Sequence, residues 1–158
     1  MSVRIEDTIV EELAARFWSL ARALDRLDRL ESAQEFRGWL DRLGQDERQL
    51  EELSRTLVLH ALGAALDPVN LRVLAHLRPD EPVSLADLSA RCALGRVPLH
   101  LRLGILVQAG LAALELEKEA ARGTTLGAAL ARWLEGLAAD LNRAVAARLR
   151  EGGGRGGG

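Results

Sequence analysis

Arg96, His100 and Arg102 fall in one stretch, GRVPLHLRLGILVQAG, that holds no acidic residue from Arg96 to Gln108. Guanidinium and imidazole donors on the outer side of a helix suit base edges and phosphate oxygens. Lys118 and Arg122, in ELEKEAARGTT, form a second cationic pair. Little else in the chain has the types and spacing of a reactive site. Cys92 follows Leu88 by four positions in an apolar frame and reads as a small core residue, because a reactive thiol needs exposure and a lowered pKa. His60, His76 and His100 lack metal-ligand spacing, and a single cysteine completes no Cys/His cluster and no internal disulfide. No glycine-rich phosphate loop follows a strand and no nucleophile elbow occurs. The acidic pairs Glu11-Glu12 and Glu51-Glu52 read as solvated helix faces. The expectation is a non-enzyme that uses no metal and no cofactor.

The elements that position these residues come from a chain of 158 residues, 48% hydrophobic and 28% charged, proportions of a folded globule. No run approaches the roughly 18 apolar residues of a membrane span, and MSVRIEDTIVEEL carries acids where a secretory signal needs an apolar stretch. The reading is cytoplasmic, with no membrane partner. The net charge is −2, and its distribution matters more than its size. Residues 1–65 hold 9 Arg against 13 Asp/Glu, residues 66–111 hold 5 against 4, and residues 112–158 hold 7 cations against 6 acids. The acidity lies in the first segment, away from Arg96 and Lys118.

That segment, 1–65, is predicted to be helical and to serve dimerisation or partner docking. Val10, Leu13, Phe17, Leu20, Leu24 and Leu27 alternate steps of three and four, one apolar seam of a helix. Ser32 with Glu35 resembles a capping box for a short helix carrying Phe36, Trp39, Leu40 and Leu43, with Gly44 as its stop. Asp46 caps a third helix, with Leu50, Leu53, Leu57, Ala61 and Ala64 on its apolar face, ending near Leu66 because Pro68 has no N–H to continue it. His60 reads as a helix-interface residue. Trp18, Trp39 and Trp133 read as core or dimer anchors, with a small-molecule pocket as the alternative.

From residue 66 the punctuation changes. Asp67-Pro68 supplies a cap and first-turn proline for a short helix with Leu71, Leu74 and Leu77. Ser84 with Asp87 opens a helix from Leu85 to about Cys92, and after Ala93-Leu94-Gly95 another runs from Arg96 to Ala109, stopped by Gly110. Leu114 and Leu116 alternate with Glu115 and Glu117, a strand period, and Arg122 to Leu126 is the expected returning strand, with a helix as the alternative because Ala112 to Arg122 is rich in good helix formers. Residues 127–150 form a last helix with Leu130, Leu134, Leu137, Leu141, Val145 and Leu149 on one face, followed by a flexible glycine-rich tail over 151–158.

Leu66-Asp67-Pro68, Leu71-Arg72-Val73-Leu74, Val83-Ser84, Leu88, Cys92, Leu94, Leu99, Leu103, Leu106 and Ala109-Gly110-Leu111 together resemble the ArsR-like winged helix-turn-helix regulators over about 60 residues. The resemblance implies a mainly α fold: a winged helix-turn-helix over 66–126 with a small β-hairpin wing, flanked by N-terminal helices and a long C-terminal helix. It implies that the N-terminal half of the Arg96 helix enters a major groove. The DNA-facing residues would then be Arg96, Val97, His100, Leu101 and Arg102, with Lys118 and Arg122 on the wing. Val97, Pro98 and Leu101 are apolar where that family usually places polar residues, and the wing carries Glu115, Glu117 and Glu119. The family's sensing cysteine pairs are absent, so metal sensing is not carried over.

Two functions follow as expectations. The first is a transcriptional regulator that binds double-stranded DNA as a homodimer on a two-half-site operator, with the N-terminal and C-terminal helices as its dimer interface. The second is a non-enzymatic winged-helix module for protein–protein interaction in a larger assembly. It would dock partners through the N-terminal helices and an apolar patch of Val97, Pro98, Leu101 and Ile105.

Overall fold

A computed structural model of the chain describes residues 3–27, 38 and 41–153. Helix α1 (Ile5–Leu27) is followed by a helical turn over 41–45, then α2 (Glu47–Leu66) and α3 (Pro68–Ala75). Strand β1 (Val83–Ser84) leads into α4 (Leu85–Cys92) and α5 (Arg96–Gln108). A hairpin of β2 (Ala112–Glu115) and β3 (Ala120–Gly123), joined by a 3₁₀ turn over Leu116–Lys118, precedes α6 (Thr125–Gly153). The three strands form one antiparallel sheet in the order β1-β3-β2, with Leu114 opposite Ala121 and Val83 opposite Ala121 on its other side. The molecule is mainly α, with the helix, helix and hairpin order of a winged helix-turn-helix. Among the described residues no single helix is long and apolar enough to cross a membrane.

Local chemistry explains most boundaries. Asp46 Oδ1 accepts from Gln49 N at 3.1 Å and caps α2, while Ser84 Oγ accepts from Asp87 N at 3.1 Å and caps α4. Helix α5 ends in a Schellman arrangement: Gly110 takes φ 77°, its N–H reaches Val107 O, and Leu111 N donates to Leu106 O at 2.8 Å. Thr124 Oγ1 accepts from Gly127 N and donates to Gly110 O, so one hydroxyl both opens α6 and holds it to the end of α5. Val73, Leu74, Leu88, Cys92, Leu99, Leu103, Leu106, Leu111 and Leu130 are almost wholly buried, and form a single core with Leu13 of α1 and Ala61, Ala64 and Ala65 of α2.

The structure corrects several expectations. The hairpin is shorter and earlier than its alternation implies: β2 stops at Glu115, Leu116 to Lys118 turn as a 3₁₀ segment, and the returning strand is Ala120–Gly123. Thr124 caps the next helix, so Leu126 lies in α6, which begins at Thr125 and takes in Glu151 to Gly153 of the expected tail. Residues 154–158 lie outside the described residues. Val83-Ser84, read as a helix entry, also forms the third strand. Val10 is exposed and Ile9 packs against the core in its place, because the inward stripe of α1 runs through Leu13. Leu50 is exposed, and so is His60, which packs into no helix interface among the described residues. Trp133 is half-buried against the core. The side chains of Trp18, Leu20, Leu24, Leu27 and Trp39, and the short helix expected from Ser32 through Phe36, lie outside the described residues, apart from a buried Leu43 in the turn over 41–45.

Candidate nucleic-acid interface

Helix α5 is held from three sides. Leu99, Leu103 and Leu106, at steps of four and three, are buried to within 1% of full burial and fix its inner face. At its middle, Arg102 Nη1 lies 2.9 Å from Asp67 Oδ1 and 3.4 Å from Asn70 Oδ1. Asp67 Oδ1 also accepts from Val69 N at 2.9 Å and Asn70 N at 3.0 Å, capping α3. Asn70 is buried and donates to Ala64 O at 2.9 Å, closing the corner between α2 and α3. The Leu66-Asp67-Pro68 signature is therefore more than a helix start: its carboxylate joins the α2–α3 corner to α5. The two backbone N–H donors, Asn70 foremost, and the Arg102 guanidinium hold the Asp67 carboxyl below its ordinary pKa.

At the C-terminal end of α5, Arg16 of α1 donates to Gln108 O. Gly110 is required beside it, since its φ of 77° suits glycine and a Cβ there would fall on the Arg16 guanidinium. A cation over the last carbonyls of a helix opposes the negative end of its dipole. Partial burial lowers the pKa of Arg16 from its ordinary value.

The opposite face of α5 is open. Arg96, Val97, His100, Leu101 and Ile105 are exposed there, with Val97 at 70% and Leu101 at 66%. Gly95 precedes the helix and contributes no side-chain cap, so the first-turn N–H groups of α5 are not taken up by a capping side chain. Arg96 Nη2 lies 3.6 Å from Glu119 Oε1 across the gap to the wing. Glu119 sits at the wing turn with φ 47°, and its carbonyl accepts from Leu85 N at 2.8 Å. On the wing, Glu115 gathers both cations: Lys118 Nζ is 3.1 Å from its Oε2, and Arg122 bonds Oε1. The Glu115–Arg122 contact is a diagonal pair across the hairpin, because Ala113 faces Arg122 and Ala120 faces Glu115. Lys118 first, then Arg122, depress the Glu115 pKa.

Of the seven residues singled out in the sequence, Arg96, Val97, His100 and Leu101 thus share one exposed face. Arg102 is turned toward Asp67, and Lys118 and Arg122 gather on Glu115. Sequence reasoning missed Asp67, Asn70, Arg16 and Glu115 as residues that arrange the site. Asp67 had a signal in its own cap position, but its partner lies 35 positions away. Cys92 is buried, and burial raises its thiol pKa against a smaller opposing effect of Arg72. No protein-family profile and no curated protein matches this chain.

Proposed function

We propose that the chain is a DNA-binding transcriptional regulator of the ArsR-like winged-helix kind, acting as a homodimer on two half-sites. The observation that carries this reading is the outer face of α5. A rigidly seated 13-residue helix presents Arg96 and His100 beside an N-terminus with no side-chain cap, and no acid interrupts it. First-turn N–H groups and the positive end of the helix dipole suit a phosphate, which would place the helix at the groove edge. Arg96 is suited to guanine O6 and N7, and His100 to a base acceptor. Val97 and Leu101 are suited to thymine methyl groups, so their apolar character selects a type of base contact and does not remove it. Glu119 competes for Arg96, but the exposed pair at 3.6 Å is worth at most about 1 kcal/mol and yields to a phosphate or guanine.

Titration of labelled duplexes from around the protein's own gene, followed by fluorescence anisotropy across a salt series, tests the reading. Binding to one fragment that weakens as salt rises, and falls by about tenfold or more in Arg96→Ala at unchanged thermal stability, is the expected result. No duplex binding at low salt by a folded dimer would overturn it. A second reading, a protein-docking module, is favoured by one observation: Val97, Leu101 and Ile105 stand exposed in a row on α5, and Leu116 of the wing is exposed too, while Lys118 and Arg122 are engaged by Glu115. A partner captured through Leu101, with no salt-dependent DNA binding, would select that alternative.

A further inference from the structure

Helix α6 outruns the core it packs on. Leu130 is buried and Trp133 and Leu134 pack against the core, but from Glu135 onward no residue of the helix belongs to it. The remainder, to Gly153, is an arm of about 27 Å at 1.5 Å per residue. Leu137, Leu141, Val145 and Leu149 line this arm at steps of four and are 46–71% exposed. Toward its outer end stand Arg143, Arg148 and Arg150; Arg143 bonds Asp140 and Glu151 follows Arg150, whereas Arg148 and Arg150 have no ion pair among the described residues. An isolated helix of this length with an apolar stripe gains little from its own hydrogen bonds; its stability comes from a surface that covers the stripe.

The same molecule holds an apolar groove between α1 and α2. Two adjoining hollows, of about 220 and 380 Å³, share Val10, Leu13 and Val58 as walls, with Leu130 and Trp133 at one end and Leu50 and Leu57 at the other. The helices beside it are acidic: Glu6, Asp7, Glu11 and Glu12 precede or flank Val10 on α1, and Glu47, Glu51 and Glu52 flank Leu50 on α2. Glu51 and Glu52 face Arg55 and Arg48 of their own helix, and Glu6 faces Arg4, whereas Glu11, Glu12 and Glu47 have no ion pair among the described residues.

We infer that the occupant of this groove is the α6 arm of a second copy of the chain, exchanged reciprocally. The arm offers leucine and valine side chains to an apolar trough, and its arginine end matches the acidic margins. A two-fold exchange satisfies both arms and both grooves at once, as an isologous contact must. The inference rests on the homodimer of the proposed function and specifies how that dimer is held. It also ties assembly to α5, because Arg16, which bonds Gln108 O, stands one turn from Leu13 in the groove wall.

Complementation between defective copies tests it by analytical ultracentrifugation without DNA. Leu141→Glu breaks the arm and Val58→Glu breaks the groove; both sites are exposed, so each variant should keep the native circular dichroism and thermal transition. Each alone is expected to weaken dimerisation by about 100-fold or more, as loss of central apolar anchors does. An equimolar mixture is expected to recover a heterodimer, because one intact arm then meets one intact groove. A dimer that survives Val58→Glu, arms that pair only with arms so that mixing rescues nothing, or a wild-type monomer at micromolar concentration would overturn the exchange. Arg96→Ala should leave self-association unchanged, so failure of DNA binding and failure of the exchange are read separately.

Discussion

Asp67 concentrates more of the architecture than any other polar residue described. One carboxylate caps α3, meets Arg102 of α5 and stands beside the buried Asn70 that closes the α2–α3 corner. Its folded pKa is depressed, so its contribution to stability is complete above the ordinary aspartate value of about 3.9 and is lost as pH falls through the folded value. Glu115, depressed by Lys118 and Arg122, has the same sign. Thermal unfolding followed from pH 7 into the acid range should therefore show stability falling below about pH 4. Asp67→Asn should be less stable at neutral pH and show a shallower decline; an unchanged slope would mean that Asp67 is not a coupling residue. The cap was legible in the sequence because capping is local. Arg102, by contrast, resembles a phosphate ligand until the fold sets Asp67 in front of it.

At the scale of elements, the helix-turn-helix depends on how α4 ends. Ala93 takes φ 53°, its N–H donates to Ala90 O, and Leu94 N donates to Ser89 O at 3.1 Å, an arrangement that normally uses glycine. The left-handed conformation costs a residue with a Cβ about 1–2 kcal/mol, and glycine returns part of that as lost chain entropy in folding. Ala93→Gly should accordingly stabilise the protein by about 0.5–1 kcal/mol in urea unfolding. A loss of stability would show that the Ala93 methyl makes a packing contribution larger than the strain. The turn Ala93-Leu94-Gly95 was readable from the sequence, whereas the identity of the left-handed residue was not, since Gly95 is the residue that composition favours and it adopts an extended conformation instead. The hairpin shows the same limit: alternation at Leu114 and Leu116 signals a strand, but only pairing with β3 and β1 decides that it stops at Glu115.

At the scale of the molecule, one core joins α1, α2 and α6 to the helix-turn-helix, and Cys92 lies inside it. With its thiol buried and its pKa raised by that burial, Cys92 should react with a disulfide reagent only as fast as the whole molecule opens. Labelling followed against urea concentration should track the unfolding transition seen by circular dichroism; rapid stoichiometric labelling of the native protein would show that the core opens locally at α4. The core is also why α5 can serve as a fixed platform. Its inner leucines pack into the core, Arg102 meets Asp67 and Asn70 at the start of α3, and Arg16 reaches it from α1, so the helix is braced at its inner face, its middle and its C-terminal end.

The sequence by itself determined where α2, α4 and α5 begin and end, which leucines of α4 and α5 turn inward, and that Arg96, Val97, His100 and Leu101 share a face. Caps, proline, glycine stops and the 3.6-residue period act within a few residues, so they can be read along the chain. Tertiary structure alone decided which charges remain available on that face. Arg102 to Asp67, Arg96 to Glu119, Arg16 to Gln108 and Arg122 to Glu115 are pairings between elements, made by chain crossings that no local pattern records. It also decided that the apolar stripe of α6 divides into a buried root and an exposed arm, because the core ends near Leu134 while the helical period continues past it.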